Sequence, residues 1–176
     1  MILKLKRTPG IYLTGFMASG KTTIGRALAD ELGWMFVDLD EDIEKRAGMP
    51  VSEIFDRCGE AAFRELESKL LRERVKQIEY GRPHVIALGG GTFLSDDNFE
   101  LISNNGITLW LDCEYPRICE RLAGQSHRPL ARDPEKMKQL FETRREFYSR
   151  ADYRIDVEDD PAAAVARILG LPLFKP

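Results

Sequence analysis

An α/β fold, with a parallel sheet covered by helices on both faces, is what the sequence predicts, and two observations predict it. Short apolar runs alternate along the chain with longer segments whose apolar residues recur at helical spacing. The first such step from strand to helix passes through Gly15-Phe16-Met17-Ala18-Ser19-Gly20-Lys21-Thr22, which fits the pattern G-x-x-x-x-G-K-[ST]. The chain's 176 residues make about one domain, enough for one substantial core and too few for two.

The first strand is Ile11 to Thr14, and the helix leaving the loop carries Ile24, Leu28 and Leu32 on one face. Between them, a loop of mostly small residues aims backbone N–H groups inward, and the helix N-terminus adds partial positive charge, so the segment suits phosphate. Lys21 is placed to reach the β and γ phosphates of a nucleotide and the Thr22 hydroxyl to hold Mg²⁺. A glycine turn with a capping Thr is the plainer alternative, and the flanking strand and helix disfavour it.

The second strand is Met35 to Asp38. The residues from Asp40 to Gly59 are then long enough to form a small helical cap, and the longest helix runs from about Ala61 to Ile78 with Phe63, Leu66, Leu70, Leu71, Val75 and Ile78 on its apolar face. Gly81 and Pro83 stop it. The third strand, His84 to Leu88, ends in Gly89-Gly90-Gly91, and the fourth is Ile107 to Leu111. A helix follows Pro116 through Ile118 and Leu122, and the segment from Gly124 to Lys136 reads as a mobile flap. The fifth strand, Tyr153 to Val157, leads to a helix from Pro161 through Val165 to Leu169, ended by Gly170 and Pro172.

With 26 Lys plus Arg against 29 Asp plus Glu, the net charge of -3 gives no global attraction to nucleic acid or to an anionic membrane, so any anion site must be built locally. Cys58, Cys113 and Cys119 form no CxxC pair and are expected as buried or semi-buried thiols of a reducing compartment. No apolar run has signal-peptide or membrane-spanning length, so a soluble, cytoplasmic protein is expected.

In open parallel sheets ligands sit beyond the carboxyl ends of the strands, and the three interruptions of the pattern all fall there. Period-2 geometry along Asp38-Leu39-Asp40 points both carboxylates to one side, where one holds a metal through water and the other accepts a proton from a hydroxyl. The alternative for Asp40, shared with Glu41 and Asp42, is to cap the next helix. Glu67, three residues after Arg64, is spaced to orient its guanidinium. Arg64 is otherwise an exposed ion pair, and Arg144 a solvated charge; together they form a bidentate clamp for a substrate carboxylate. Gly89, Gly90 and Gly91 offer backbone N–H groups to a ligand or, more plainly, make a tight turn. In the flap, Arg128 is suited to close over phosphates as an arginine finger, and Arg121 to lay its plane on adenine.

The order of GFMASGKTTIGRALA, FVDLDEDIE, IFDRCGEAAFRELES, LGGGT, HRPL and RREFYSRAD resembles the shikimate kinase family over nearly the whole chain. The resemblance implies a three-layer P-loop fold of nucleoside-monophosphate-kinase type on a five-stranded parallel sheet, with one kinase domain over 1–176, a substrate-binding insertion at about 40–68 and a lid at about 122–136. It implies transfer of phosphate from ATP to the shikimate 3-hydroxyl, toward chorismate and the aromatic amino acids, by a monomer. It gives ATP to Gly15, Ala18, Ser19, Gly20, Lys21, Thr22, Thr23, Arg121 and Arg128, and Mg²⁺ to Thr22 and, through water, Asp38. The acceptor falls to Asp40 as base, to Arg64 and Arg144 on the carboxylate, and to the backbone at Gly89, Gly90 and Gly91; Lys21, Asp40 and Arg128 are its catalytic residues. Three positions depart from the common pattern: Ala18 where glycine is frequent, Leu39 where Thr often stands, and Glu158-Asp159-Asp160 where some relatives carry a basic residue. A kinase of another hydroxy acid such as gluconate, or a non-catalytic nucleotide-binding regulatory module, are the alternatives; a module that only binds needs neither a base nor a lid arginine.

Overall fold

The protein is described from a computed structural model over residues 10–123 and 133–174. Five strands, β1 (Gly10–Thr14), β2 (Met35–Asp38), β3 (His84–Ala87), β4 (Gly106–Cys113) and β5 (Tyr153–Val157), form one parallel sheet in the order β2-β3-β1-β4-β5. Every residue of β1 and β3 is buried, which is why both read as near-continuous apolar runs, whereas edge strand β5 alternates, with Arg154 and Asp156 exposed. All five expected strands are present. β4 runs longer than expected at both ends, and β3 stops one residue short of Leu88, whose N–H still donates to Leu13 O at 3.0 Å.

Among the described residues seven α-helices connect and cover the sheet: α1 (Lys21–Leu32), α2 (Leu39–Ala47), α3 (Val51–Glu79), α4 (Asp96–Asn105), α5 (Tyr115–Ala123), α6 (Pro134–Tyr148) and α7 (Pro161–Leu169). α1 packs with α7 and α3 with α4. Because the crossover from β1 moves one way across the sheet and those from β2 and β3 the other, right-handed connections put these pairs on opposite faces. The core between them is made by Ile11, Leu13, Leu28, Leu71, Ile86, Ile102, Leu111 and their neighbours.

α3 begins ten residues earlier than the sequence pattern suggests, at Val51 rather than Ala61, and bends at Gly59, where φ 82° and ψ 169° are open to glycine and break the helical path. The expected helical cap is thus α2 and the part of α3 before this bend. Pro134, read from sequence as part of the flap, stands in the first turn of α6 behind the N-cap Asp133, whose carboxylate accepts from the Lys136 N–H; its fixed φ and missing N–H suit that place. Residues 124–132 of the expected flap, including Arg128, lie outside the described residues. Cys58, expected to be at least half-buried, is exposed, whereas Cys113 is buried and Cys119 intermediate. No helix among the described residues is long and apolar enough to cross a membrane.

The edge pair β4 and β5 is tied by a reciprocal bond that spacing alone does not reveal. Asp152 Oδ2 accepts from both the N–H and the hydroxyl of buried Thr108, each at 2.9 Å, and Thr108 Oγ1 accepts from the Asp152 N–H at 2.8 Å. Asp152→Ala strands a buried N–H and hydroxyl, so urea unfolding should show a loss of about 2–3 kcal/mol.

Candidate active site

β1 and β3 are adjacent in the sheet but send their helices to opposite faces, so a crevice opens where their carboxyl ends meet. The G-x-x-x-x-G-K-T loop leaves β1 into it, the glycine run leaves β3, and Asp38 ends neighbouring β2. The chain therefore brings these three segments to one sheet edge.

In the loop, Lys21 Nζ reaches back to the carbonyl oxygens of Gly15 and Phe16, each at 2.8 Å, and the Ser19 N–H closes a turn on Phe16 O at 3.2 Å. Gly20 caps α1 at φ 98°. Ala18, at φ 59°, is the one residue other than glycine with positive φ among the described residues. Thr23 is exposed on α1. Arg121 approaches from α5 and donates to Ala18 O at 2.9 Å and, with its other terminal nitrogen, to Glu158 O at 3.1 Å.

Thr22 Oγ1 donates to Asp38 Oδ2 at 2.6 Å, and Asp38 Oδ1 accepts from the N–H groups of Asp40 at 3.0 Å and Glu41 at 3.3 Å. Asp38 is thus the N-cap of α2, which corrects the strand-end picture of the two aspartates. Because this cap starts the helix at Leu39, Asp40 occupies its first turn and its side chain follows helical rather than period-2 geometry. A hydroxyl and a carboxylate beside the loop are hard oxygen donors of the kind Mg²⁺ takes, and no group of three or more His, Cys, Asp or Glu residues among those described forms a metal cage. That donor set fits a cation that keeps waters and is otherwise held by nucleotide phosphates.

The glycine run makes room for side chains. None of Gly89, Gly90 and Gly91 has a φ in the left-handed region, so backbone conformation does not demand glycine at any of them. A Cβ at 89 would stand 2.9 Å from Asp40 Oδ1 and 3.0 Å from Glu67 Oε2; one at 90 would stand 2.9 Å from Arg144 Nη1; one at 91 would overlap the Arg64 guanidinium. Each glycine is a seat for a charged side chain.

Those side chains are held in turn. Glu67 is fully buried, with Oε1 accepting from Arg64 Nη1 at 2.8 Å and Oε2 from Thr92 Oγ1 at 2.6 Å. The Arg64–Glu67 pair is therefore no solvated helix pair, since one partner is wholly desolvated. Buried Tyr148 donates its hydroxyl to Gly90 O at 2.7 Å, and burial pushes that phenol up to about 12. Arg144 lies over the Phe16 ring at 5.9 Å, and its buried Nε has no hydrogen-bond partner among the described residues, leaving donor capacity for a ligand. A cavity of about 400 Å³ opens beside both arginines, lined by Glu60, Arg64, Gly91, Leu94, Leu140 and Arg144.

Asp40 stands on the other side of the glycine run, and its carboxyl is pushed up to about 6, chiefly by burial and then by the Asp38 charge, with Lys21 pulling it down. It is the one described carboxyl in the crevice raised this far, as expected of a group arranged for proton transfer. Thr92 and Tyr148 carried no signal in the sequence, because each acts through a partner distant in the chain.

Residues 17–170 match the family model for shikimate kinase. The chain belongs to the shikimate kinase family. That family comprises ATP-dependent kinases with an alcohol as acceptor. The shikimate kinase of Persephonella marina is 40% identical over 162 residues, which cover 91% of this chain and 96% of that protein. The crystal structure of shikimate kinase from Aquifex aeolicus superposes with a TM-score of 0.81 at 37% identity, covering 91% of this chain and 94% of that one. A structure of the Acinetobacter baumannii enzyme in complex with shikimate reaches a TM-score of 0.86 at 34% identity, covering 94% and 93%. The five-stranded parallel fold expected of a P-loop kinase is the one observed, and none of these relatives favours the gluconate or regulatory alternatives.

Proposed function

We propose that this chain transfers the γ-phosphoryl group of ATP to the 3-hydroxyl of shikimate, giving 3-phosphoshikimate and ADP. The observation that carries the reading is the placement of Asp40: a carboxylate seated against Gly89, beside the loop lysine on one side and the clamp arginines on the other. Family membership supplies the substrate class, and the geometry supports the division of labour.

In this reading the loop from Gly15 to Thr23 binds the triphosphate, and Lys21 exchanges its two carbonyl partners for phosphate oxygens. Thr22 and, through water, Asp38 would hold Mg²⁺, which would neutralise phosphate charge. Arg64 and Arg144 take the shikimate carboxylate as a clamp, with backbone at Gly89 to Gly91 as the floor. Asp40, ionised above about pH 6, accepts the proton of the 3-hydroxyl as its oxygen attacks in line. Arg121 borders the nucleotide, and Arg128 closes over the phosphates from the lid, about residues 122–136. The whole of 1–176 acts as one kinase domain with an acceptor insertion at about 40–68, as a cytoplasmic monomer without a nucleic-acid partner, in keeping with the nearly balanced charge.

Following ADP release with shikimate and with gluconate tests the acceptor: turnover is expected with shikimate, and its absence would sink the proposal. The clamp is tested by Arg64→Ala, which removes a charged hydrogen-bond donor to the acceptor and should raise KM for shikimate about 10–100-fold with KM for ATP unchanged. An unchanged KM for shikimate would remove Arg64 from the site.

A further inference from the structure

We propose that Arg121 is a positioning residue of the phosphate loop, holding the left-handed Ala18 peptide in the shape that receives a triphosphate. This rests on the reading of the loop as a triphosphate site and goes beyond any contact of Arg121 with the base.

An L-residue in the left-handed region brings its Cβ against the following carbonyl, so Ala18 at φ 59° is strained, and the loop's own turn bond from the Ser19 N–H to Phe16 O meets part of that strain from within. From outside the loop Ala18 is supported by a charged hydrogen bond, from Arg121 Nη1 to Ala18 O at 2.9 Å. Across the planar peptide the Ser19 N–H then points the other way, where it closes the turn on Phe16 O. The second arm of the same guanidinium donates to Glu158 O, so the fork spans two backbone segments that are far apart in sequence.

The far anchor is itself fixed. Arg167 donates to Asp156 O at 2.6 Å and to the Glu158 carboxylate at 2.7 Å, and Arg117 pairs with Asp159 at 2.6 Å. The acidic stretch after β5, which the sequence marks as a departure from relatives with a basic residue there, is thus gripped by arginines on both sides of Arg121's second bond. A glycine at position 18 would keep the left-handed conformation unaided. With alanine there, the brace and the acidic stretch complement it.

The test uses the full chain and inorganic tripolyphosphate with Mg²⁺, a probe with no base, titrated calorimetrically into wild type, Arg121→Met, Arg121→Lys, Ala18→Gly and Ala18→Gly/Arg121→Met. Arg121→Met should weaken tripolyphosphate about tenfold, the loss expected once a left-handed alanine loses its support from outside the loop. Arg121→Lys should weaken it nearly as much, since one ammonium cannot span both carbonyls. In the Ala18→Gly background the loss should shrink to about twofold, and shikimate affinity should not move in any variant. The proposal is overturned if Arg121→Met spares tripolyphosphate and weakens ATP alone, if Lys restores affinity, if the loss is undiminished in the Ala18→Gly background, or if shikimate binding falls too. Wild type that binds neither tripolyphosphate nor ATP would overturn instead the phosphate-loop reading beneath it.

Discussion

Asp40→Asn is expected to lower kcat for shikimate phosphorylation by about 10²–10⁴-fold, the range for removing a general base, while making the protein more stable. The two effects have one origin. Burial and the neighbouring Asp38 charge raise the carboxyl from 3.8 to about 6, so in the folded protein its ionised form is disfavoured. Below pH 4 both folded and unfolded chains carry the proton and there is no penalty. As pH rises from there to about 6 the unfolded chain ionises while the folded state still holds its proton, so stability falls across this window and the loss is complete above about 6. At neutral pH the cost is on the order of 2–3 kcal/mol, and the neutral amide escapes it. KM for ATP should stay near wild type, since the Asp40 carboxylate faces the glycine run, with its Oδ1 against Gly89. For the wild type, kcat/KM should fall on the acid side with a midpoint near pH 6, where the base becomes protonated. An Asn variant that keeps its activity, or melts earlier than wild type, would mean that Asp40 is a structural acid and that the base lies elsewhere.

What could be read in the sequence and what could not divides along the range of the interactions. The strands and the first and last helices follow from local signals: buried runs for β1 and β3, Pro161 behind the N-cap Asp160 and Gly170 after the last turn of α7, and a loop pattern whose eight residues are contiguous. Arg64 with Glu67 was legible because both lie on one helix face. The depth of Glu67 was not, because its burial depends on Thr92, 25 residues away. Ser95, which accepts from the Asn98 N–H and starts α4, and Asp133 ahead of Pro134 were local caps that could have been found. The cap at Asp38 competed with a strand reading and won, since a carboxylate taking two backbone N–H groups turns the chain at once. Asp112 shows the same limit: Arg145 pairs with both of its oxygens and Arg154 with one, and both guanidiniums lie over Trp110. That contact fixes α6 against β4 and so places Arg144, yet in sequence Asp112 is only a charge after an apolar run.

The glycine run was the feature whose meaning changed most, and Gly91→Ala tests the new one. Gly91 has φ −108° and ψ −7°, which alanine adopts freely, so the substitution asks nothing of the backbone. Its Cβ would instead overlap the Arg64 guanidinium, which is held from behind by the fully buried Glu67. Arg64 must leave its seat and give up that bond, and Glu67 keeps only the Thr92 hydroxyl. We expect KM for shikimate to rise about 100-fold, as for loss of a charged hydrogen bond, and stability to fall by about 1–3 kcal/mol for the uncompensated carboxylate; KM for ATP should not move. If the glycines served only a tight turn or free N–H groups, alanine at this φ would be nearly silent. The deciding comparison is the double variant with Arg64→Ala. Once the guanidinium is gone the new methyl has nothing to displace, so Arg64→Ala/Gly91→Ala should be no worse than Arg64→Ala alone. Losses that instead add would show that Gly91 acts on the acceptor independently of Arg64.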